Sequence, residues 1–375
     1  MSERKEKGER EKADFEKVQT EIQQKLESLG QDILTDVRQK KFPKIKIPIR
    51  STSNIVYSEE MGQWTTGEGM MVQSSGNIRQ VKPFARMVWT ASVVKKELLE
   101  ESRTTTLRDI FYLSTNEGMD YANQEESNGI IENLEAWSGY AREQLHIVPE
   151  QRSSIFGDIM IEYTMPQYRG RQVNLSTFPD GASIGPALST AEFIETSAEQ
   201  VLVIEKGATF HRVVEDNVWR RNNAIIVHTA GQPPRSTRAL IKRLNEELGL
   251  PVYIFCDADP WGIRIALTVI CGSANAAHLT GLATPNAVWI GLYPSDADKL
   301  KLGGAMKLSK IDVETVDNML ERDPRCREEP YKTELEFFKK DGRKWELEAL
   351  SSLGFDYVSE RYIPDKIKAL KETQG

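Results

Sequence analysis

The chain of 375 residues contains only three cysteines and four histidines. Cys256, Cys271 and Cys326 show no C-x-x-C spacing and no histidine at metal-ligand spacing, so neither a zinc site nor a disulfide framework is indicated. That usage fits a reducing, intracellular setting. Long apolar runs are also missing. The most apolar-looking stretch, Ile263–Ala283, is interrupted by Arg264, Gly272, Asn275, His278 and Gly281, which argues against a membrane span. Residues 1–17 are too charged to read as a secretory signal or a transit peptide. Neither G-x-x-x-x-G-K-[ST] nor G-x-G-x-x-G occurs, so the chain shows no nucleotide cradle of its own. His146, His211, His228 and His278 form no metal-type or Ser/His/Asp grouping and read as structural. Basic excess is absent too: the net charge is −7 and the pI about 5.5. This counts against a protein that coats nucleic acid, but local grip depends on how charge is distributed.

The distribution is uneven. Lys40, Lys41, Lys44, Lys46 and Arg50 form one basic run, and Arg79, Lys82, Arg86, Lys95, Lys96, Arg103 and Arg108 another, whereas residues 117–135 are acidic. Residues 1–30 read as a charge-dense helix with Phe15, Val18, Ile22 and Leu26 at helical spacing, or as a frayed tail. Ile45, Ile47 and Ile49 alternate with Lys and Pro as in an edge strand. The Gly/Ser/Thr-rich stretch 62–76 reads as turns, with a boundary near residue 78.

Phe84, Met87, Val88, Ala91, Val94 and Leu98 make one apolar stripe on a helix over 84–102. A threonine run caps a second helix from Leu107, and residues 130–145 give a third. A β pair, 155–163 with 171–175, turns around Gly170. Three helices and a β wing form the winged-helix pattern, a variant of helix-turn-helix; small helical domains that bind no DNA produce it too. From Val201 the period changes. Strands at 201–206, 224–229, 252–256 and 288–293 alternate with helices at 209–220, 236–248 and 263–271, which specifies a mostly parallel sheet covered on both faces. The fold class is therefore multidomain α/β. The expected division is an N-terminal extension (1–78), a winged-helix domain (79–160) and an α/β domain with C-terminal helices (161–375).

Three carboxylates fall at strand ends of that sheet: Glu205 after V-L-V-I, and Asp257 and Asp259 after Y-I-F-C. Right-handed crossovers place the C-terminal ends of parallel strands on one edge, where open α/β sheets bind ligands. A Glu facing a D-x-D across that edge makes an anionic oxygen site of the kind Mg²⁺ takes. The plainer alternative makes Asp259 a helix cap and Asp257 a turn residue. A haloacid-dehalogenase-type phosphotransferase would place Thr or Val where this chain has Trp261, after Pro260.

In T-T-T-L-R-D-I-F-Y, Leu107, Ile110, Phe111 and Ser114 share one helical face, and Tyr112 lies roughly 140° from Leu107. Arg108, four residues earlier, shares the face of Tyr112. Phenol is a poor nucleophile at its reference pKa of about 10. A neighbouring guanidinium favours the phenolate and can grip a phosphate. An exposed Tyr stacked beside an Arg is the plainer account of the same pair. The basic residues of 79–108 read either as phosphate contacts flanking Tyr112 or as a solvated helix face.

These stretches resemble the A subunit of DNA topoisomerase VI, the type IIB enzyme of archaea and plants, and its relative, the meiotic double-strand-break transesterase. T-L-R-D-I-F-Y looks like the family's catalytic-tyrosine motif, which puts the nucleophile on Tyr112 and a supporting arginine on Arg108. V-I-E-K (203–206) and F-C-D-A-D-P-W-G (255–262) look like the acidic motifs of a topoisomerase–primase (toprim) domain, which implies metal binding by Glu205, Asp257 and Asp259. S-S-I-F-G-D, G-Q-P-P-R-S-T-R, W-I-G-L-Y-P-S-D, K-W-E-L-E-A-L and Y-I-P-D-K-I extend the likeness from about residue 42 to the C-terminus. The resemblance implies Mg²⁺-dependent cleavage and religation of double-stranded DNA through a 5′-phosphotyrosyl bond, and a homodimer in which one protomer's tyrosine works against the other's acids. It implies as well a separate ATPase of the B type, an A2B2 assembly and an intracellular place, cytoplasmic or nucleoid in an archaeon. A break maker without strand passage and a non-catalytic DNA-binding architectural protein are the competing functions.

Overall fold

The computed structural model describes residues 2–101, 103–148, 151–165 and 167–374. The chain forms two units: residues 1–56, 65–150 and 274–279 in the first, and residues 57–64, 151–273 and 280–375 in the second.

In the first unit, helix α1 (Ser2–Arg38) precedes strand β1 (Lys44–Pro48), which pairs antiparallel with β2 (Met70–Ser74). Ile45 and Ile47 are buried and the intervening lysines exposed, as the alternation requires. The stretch expected as turns therefore holds real strands, Gln63–Thr66 and Met70–Ser74. Its turn-forming residues mask a pairing partner, with Lys44 opposite Ser74 and Pro48 opposite Met70, beyond the reach of local propensity. Helix α2 (Val81–Val93) runs on through a wider π-type turn, Val94–Glu100. Of its expected stripe, Phe84, Met87, Ala91, Val94 and Leu98 are buried. They pack with Ile110 of α3 (Leu107–Asn116) and Ile131 and Leu134 of α4 (Gln124–Ser138). Helix α4 starts earlier than its apolar pattern announces because Asn123 caps it, and it stops at Gly139 in the left-handed conformation, φ 76°.

Arg86, grouped by sequence with the phosphate-binding candidates, is only 5% exposed. Its guanidinium bonds the Met119 and Asp120 carbonyls and the Glu126 carboxylate. It is a cross-brace between α2 and the α3–α4 connection. Arg142 likewise donates two bonds to the fully buried Glu135.

The second unit is built on a six-stranded sheet. Its strands are β3 (Ser154–Phe156), β6 (Ala182–Ser183), β8 (Gln200–Ile204), β9 (Ala224–His228), β10 (Val252–Phe255) and β11 (Val288–Gly291), in the order β11-β10-β8-β9-β3-β6. The four strands from β11 to β9 are parallel; β3 and β6 are antiparallel additions. Strand β4 (Ile159–Glu162) does pair with β5 (Gln172–Asn174), but both join β7 (Glu192–Thr196) in a separate three-stranded sheet of this unit. The hairpin expected as a wing on the helical unit thus belongs elsewhere. Its polar edge resembles a wing in sequence, but Ile159 and Ile161 are fully buried in the α/β core.

Alternation explains why the central strands are apolar throughout. Val201, Val203, Val252 and Ile254 point into one core, and Leu202, Ile204, Tyr253 and Phe255 into the other. Around the sheet lie α5 (Gly207–Glu215), α6 (Arg235–Leu248), α7 (Pro260–Cys271), α8 (Lys310–Arg322) and α9 (Tyr331–Asp341). The expected helix over 209–220 breaks at Asn217, whose φ of 56° no helix accommodates. No helix among the described residues is long and apolar enough to cross a membrane. Ile254→Ala, at a site with no exposed surface, should cost about 2–5 kcal/mol in chemical denaturation; a loss below about 1 kcal/mol would contradict tight packing there.

Candidate active site

Parallel register builds the carboxylate cluster. Ile204 of β8 lies opposite Phe255 of β10, so Glu205, one residue on, and Asp257, two residues on, leave adjacent strands at the same edge. The Glu205 amide donates to the Phe255 carbonyl at 3.1 Å, and the Asp257 amide donates to Glu205 Oε2 at 3.1 Å. Asp257 is buried, and its Oδ1 accepts the Leu347 amide at 2.8 Å. Asp259 is the N-cap of α7 and accepts the Gly262 amide at 2.6 Å, with Pro260 in the first turn. The capping role that the sequence allows is therefore real, and it leaves the second Asp259 oxygen outside that bond.

Burial, and then the neighbouring Asp257 charge, push the Glu205 carboxyl up to about 7. Asp257 is pushed up to about 6, first by burial, while the Leu347 amide and Lys206 pull the other way. Burial raises Asp259 as well. Three acids that resist ionising together form a site short of positive charge. Hard carboxylate oxygens of this kind suit Mg²⁺. Among the described residues no three His, Cys, Asp or Glu side chains are already arranged to hold a metal ion. One reason is visible: Asp257 Oδ2 faces the Lys206 ammonium at 3.3 Å.

Gly262 is required here. A Cβ on it would stand 2.2 Å from the Asp257 carbonyl oxygen. Two supporting features carry no signal in the sequence. Lys206 is only a letter in V-I-E-K, and Leu347 only one in K-W-E-L-E-A-L. In the fold Trp345 bridges Ala258, and Leu347 closes on Asp257 from 90 residues away. Spacing along the chain gives no hint of such a contact.

Tyr112 and Arg108 lie in the other unit, on α3. Ile110 and Ser114 are buried, whereas Tyr112 is 54% exposed. The Arg108 guanidinium carbon stands 5.9 Å from the Tyr112 ring centroid. A reciprocal capping box, Thr106 with Asp109, starts the helix. Of the surrounding basic residues, Arg79, Lys82, Lys96 and Arg108 are exposed, whereas Lys95 pairs with Glu100. Of the histidines, His228 stacks on Phe210, and His278 lies 3.8 Å from the buried Glu135.

The family model described as type IIB DNA topoisomerase matches residues 82–147, and that of the Toprim domain of the topoisomerase 6 A subunit and Spo11 matches residues 200–367. The A subunit of type 2 DNA topoisomerase 6 from Methanothermobacter thermautotrophicus is 38% identical over 352 residues, covering 92% of this chain and 97% of the relative. The chain belongs to the family of topoisomerase 6 A subunits. The proteins of the same name from Natronomonas pharaonis and Haloarcula marismortui are 34% and 35% identical, each over 92% of this chain and 94% and 95% of their own lengths. The Toprim match spans both strands that carry the carboxylates, and the type IIB match spans α3 with Tyr112. The mixed α/β class and the mostly parallel sheet agree with the sequence expectation.

Two outcomes follow from the local geometry. Gly262→Ala should displace the loop 257–259 and lower thermal stability; a variant as stable as the parent would contradict the close approach. Thr106 hydrogen bonds hold the Asp109 carboxyl below its usual range. Its contribution is therefore present above the unfolded-state value and lost as pH falls through the depressed folded one. Asp109→Asn should accordingly be less stable than the parent at neutral pH, with the gap closing in acid.

Proposed function

We propose that the chain is the DNA-cleaving component of a type IIB topoisomerase, an isomerase that cuts and rejoins double-stranded DNA. What carries this reading is the convergence of Glu205 and Asp257 on one edge of a Toprim sheet, with Asp259 capping the next helix, in a chain whose family match also contains the exposed Tyr112.

In the proposed reaction the Tyr112 phenolic oxygen attacks a DNA phosphorus. A bond forms from that oxygen to phosphorus and the bond from phosphorus to the 3′ oxygen breaks, which leaves a 5′-phosphotyrosyl link and a 3′-hydroxyl. The phenolic proton is lost and the 3′ oxygen gains one, so the step is balanced. Religation is the reverse, and the ester link conserves the bond energy. Arg108 holds a phosphate oxygen of the attacked phosphodiester. Its planar, permanently protonated fork suits that task better than a lysine. Glu205, Asp257 and Asp259 would hold Mg²⁺, which supplies Lewis-acid stabilisation of charge on the phosphoryl and leaving oxygens when bound. Arg79, Lys82 and Lys96 give phosphate contacts along the duplex, and their loss should lower affinity in a salt-dependent way.

The winged-helix assignment rests on α2, α3 and α4, without the hairpin that the sequence pattern offers as its wing. We assign coupling to residues 1–78, nucleophilic attack to 79–160 and metal binding to 161–375. In the full assembly, two copies each offer a tyrosine to the partner's acids, and a separate ATPase of the B type drives strand passage in an A2B2 complex. Tyr112→Phe should abolish Mg²⁺-dependent plasmid cleavage in the presence of that partner while leaving DNA affinity within about twofold, and chelation by EDTA should abolish cleavage by the parent chain. Cleavage that survives in Tyr112→Phe would move the nucleophile elsewhere; wild-type rates in EDTA would remove the metal from the mechanism.

A further inference from the structure

Lys206 follows Glu205 directly and reaches across the cluster. Its Nζ stands 3.3 Å from Asp257 Oδ2, 3.6 Å from Glu346 Oε2 and 3.7 Å from Glu348 Oε2. Because Asp257 Oδ1 already accepts the Leu347 amide, Oδ2 is the oxygen left to meet a cation, and the lysine ammonium sits against it. The carboxylates of Glu205, Asp257, Asp259, Glu346 and Glu348 outnumber the ammonium groups of Lys206 and Lys344 in this region. Repulsion among them would otherwise open the cluster.

We infer that Lys206 is a resident counter-cation: it keeps the carboxylates assembled without metal, competes with the metal for Asp257 Oδ2, and moves onto Glu346 and Glu348 when the metal binds. The two receiving glutamates have side chains 53% and 46% exposed, whereas the Asp257 side chain is 10% exposed. The exposed pair can take up and release an ammonium group at little cost, because ion pairs in high dielectric are weak. The Asp257 side chain, far less exposed, loses more when its carboxylate is left without a neighbouring cation. A short move of one flexible side chain therefore exchanges an internal cation for an external one, and the site need never exist as a bare anionic cluster. Lys206 is thus a positioning residue that sets metal affinity. This inference rests on the metal-binding reading given above for Glu205, Asp257 and Asp259.

The test is Mn²⁺ binding to the full chain, followed by the loss of the free-ion paramagnetic signal, together with thermal unfolding in EDTA. Lys206→Met should bind Mn²⁺ roughly three- to tenfold more tightly than the parent and unfold at a lower temperature in EDTA, with most of that loss recovered in Mn²⁺. Lys206→Arg, which restores the charge, should return both values toward the parent. Lys344→Met removes the same charge from a lysine that pairs with Asp312 at 2.8 Å and reaches Asp259 only through its field, so it should shift Mn²⁺ affinity much less. Equal or weaker Mn²⁺ binding by Lys206→Met, or an equal gain in Lys344→Met, would overturn competition at Asp257 while leaving the metal site intact. No Mn²⁺ binding by the parent or by Lys206→Met would overturn the metal-binding reading and this inference with it.

Discussion

The constraint on which the second unit depends is the parallel register of β8 and β10. Once Ile204 lies beside Phe255, Glu205 and Asp257 must emerge side by side at one edge of the sheet. Burial, and then the Asp257 charge, raises the affinity of Glu205 for protons, and burial, with the Asp259 charge, raises that of Asp257. The surrounding residues answer that repulsion locally. The Asp257 amide bonds Glu205, the Leu347 amide bonds Asp257, the first turn of α7 bonds Asp259, and Lys206 supplies a positive charge. Each of these relieves part of the repulsion and none removes it. On the proposed metal-binding reading, that stored destabilisation is what a divalent cation would relieve, and the apolar strands behind the cluster supply the rigidity that keeps it assembled.

The first unit solves a different problem. Its helix α3 buries Ile110 and Ser114 and so turns Tyr112 outward, and the Thr106–Asp109 capping box fixes where the helix begins and hence which residues face out. Exposure makes the phenol accessible, while Arg108 on the same face places a permanent positive charge beside it. Tyr112, the proposed nucleophile, and the acids are thus presented by separate units through separate means, helix phase for one and strand register for the other.

Much of this is legible in the chain. Strand positions follow from apolar runs that end in Gly or acid residues, because buried parallel strands need apolar residues on both faces. The phase of α3 follows from Leu107, Ile110, Phe111 and Ser114, and the three carboxylates from their place after strands. What the chain hides are contacts between distant segments. Arg86 carries the same charge as its exposed neighbours, and only the fold turns it inward to Met119, Asp120 and Glu126. The β4–β5 hairpin is visible in the sequence, yet the unit it joins is not, since pairing with β7 depends on residues beyond the local pattern. Lys206 and Leu347 gain a role only when the sheet edge brings them to Asp257.

The central physical claim is that the carboxylate edge trades stability for cation binding. It is tested most directly by thermal unfolding of Glu205→Gln in EDTA and in Mg²⁺. Glutamine can still accept the Asp257 amide but carries no charge. The account predicts that the variant unfolds about 2–4 °C above the parent in EDTA and gains little from Mg²⁺, whereas the parent gains clearly. A variant less stable than the parent in EDTA and equally stabilised by Mg²⁺ would contradict it, and would make Glu205 an ordinary structural acid.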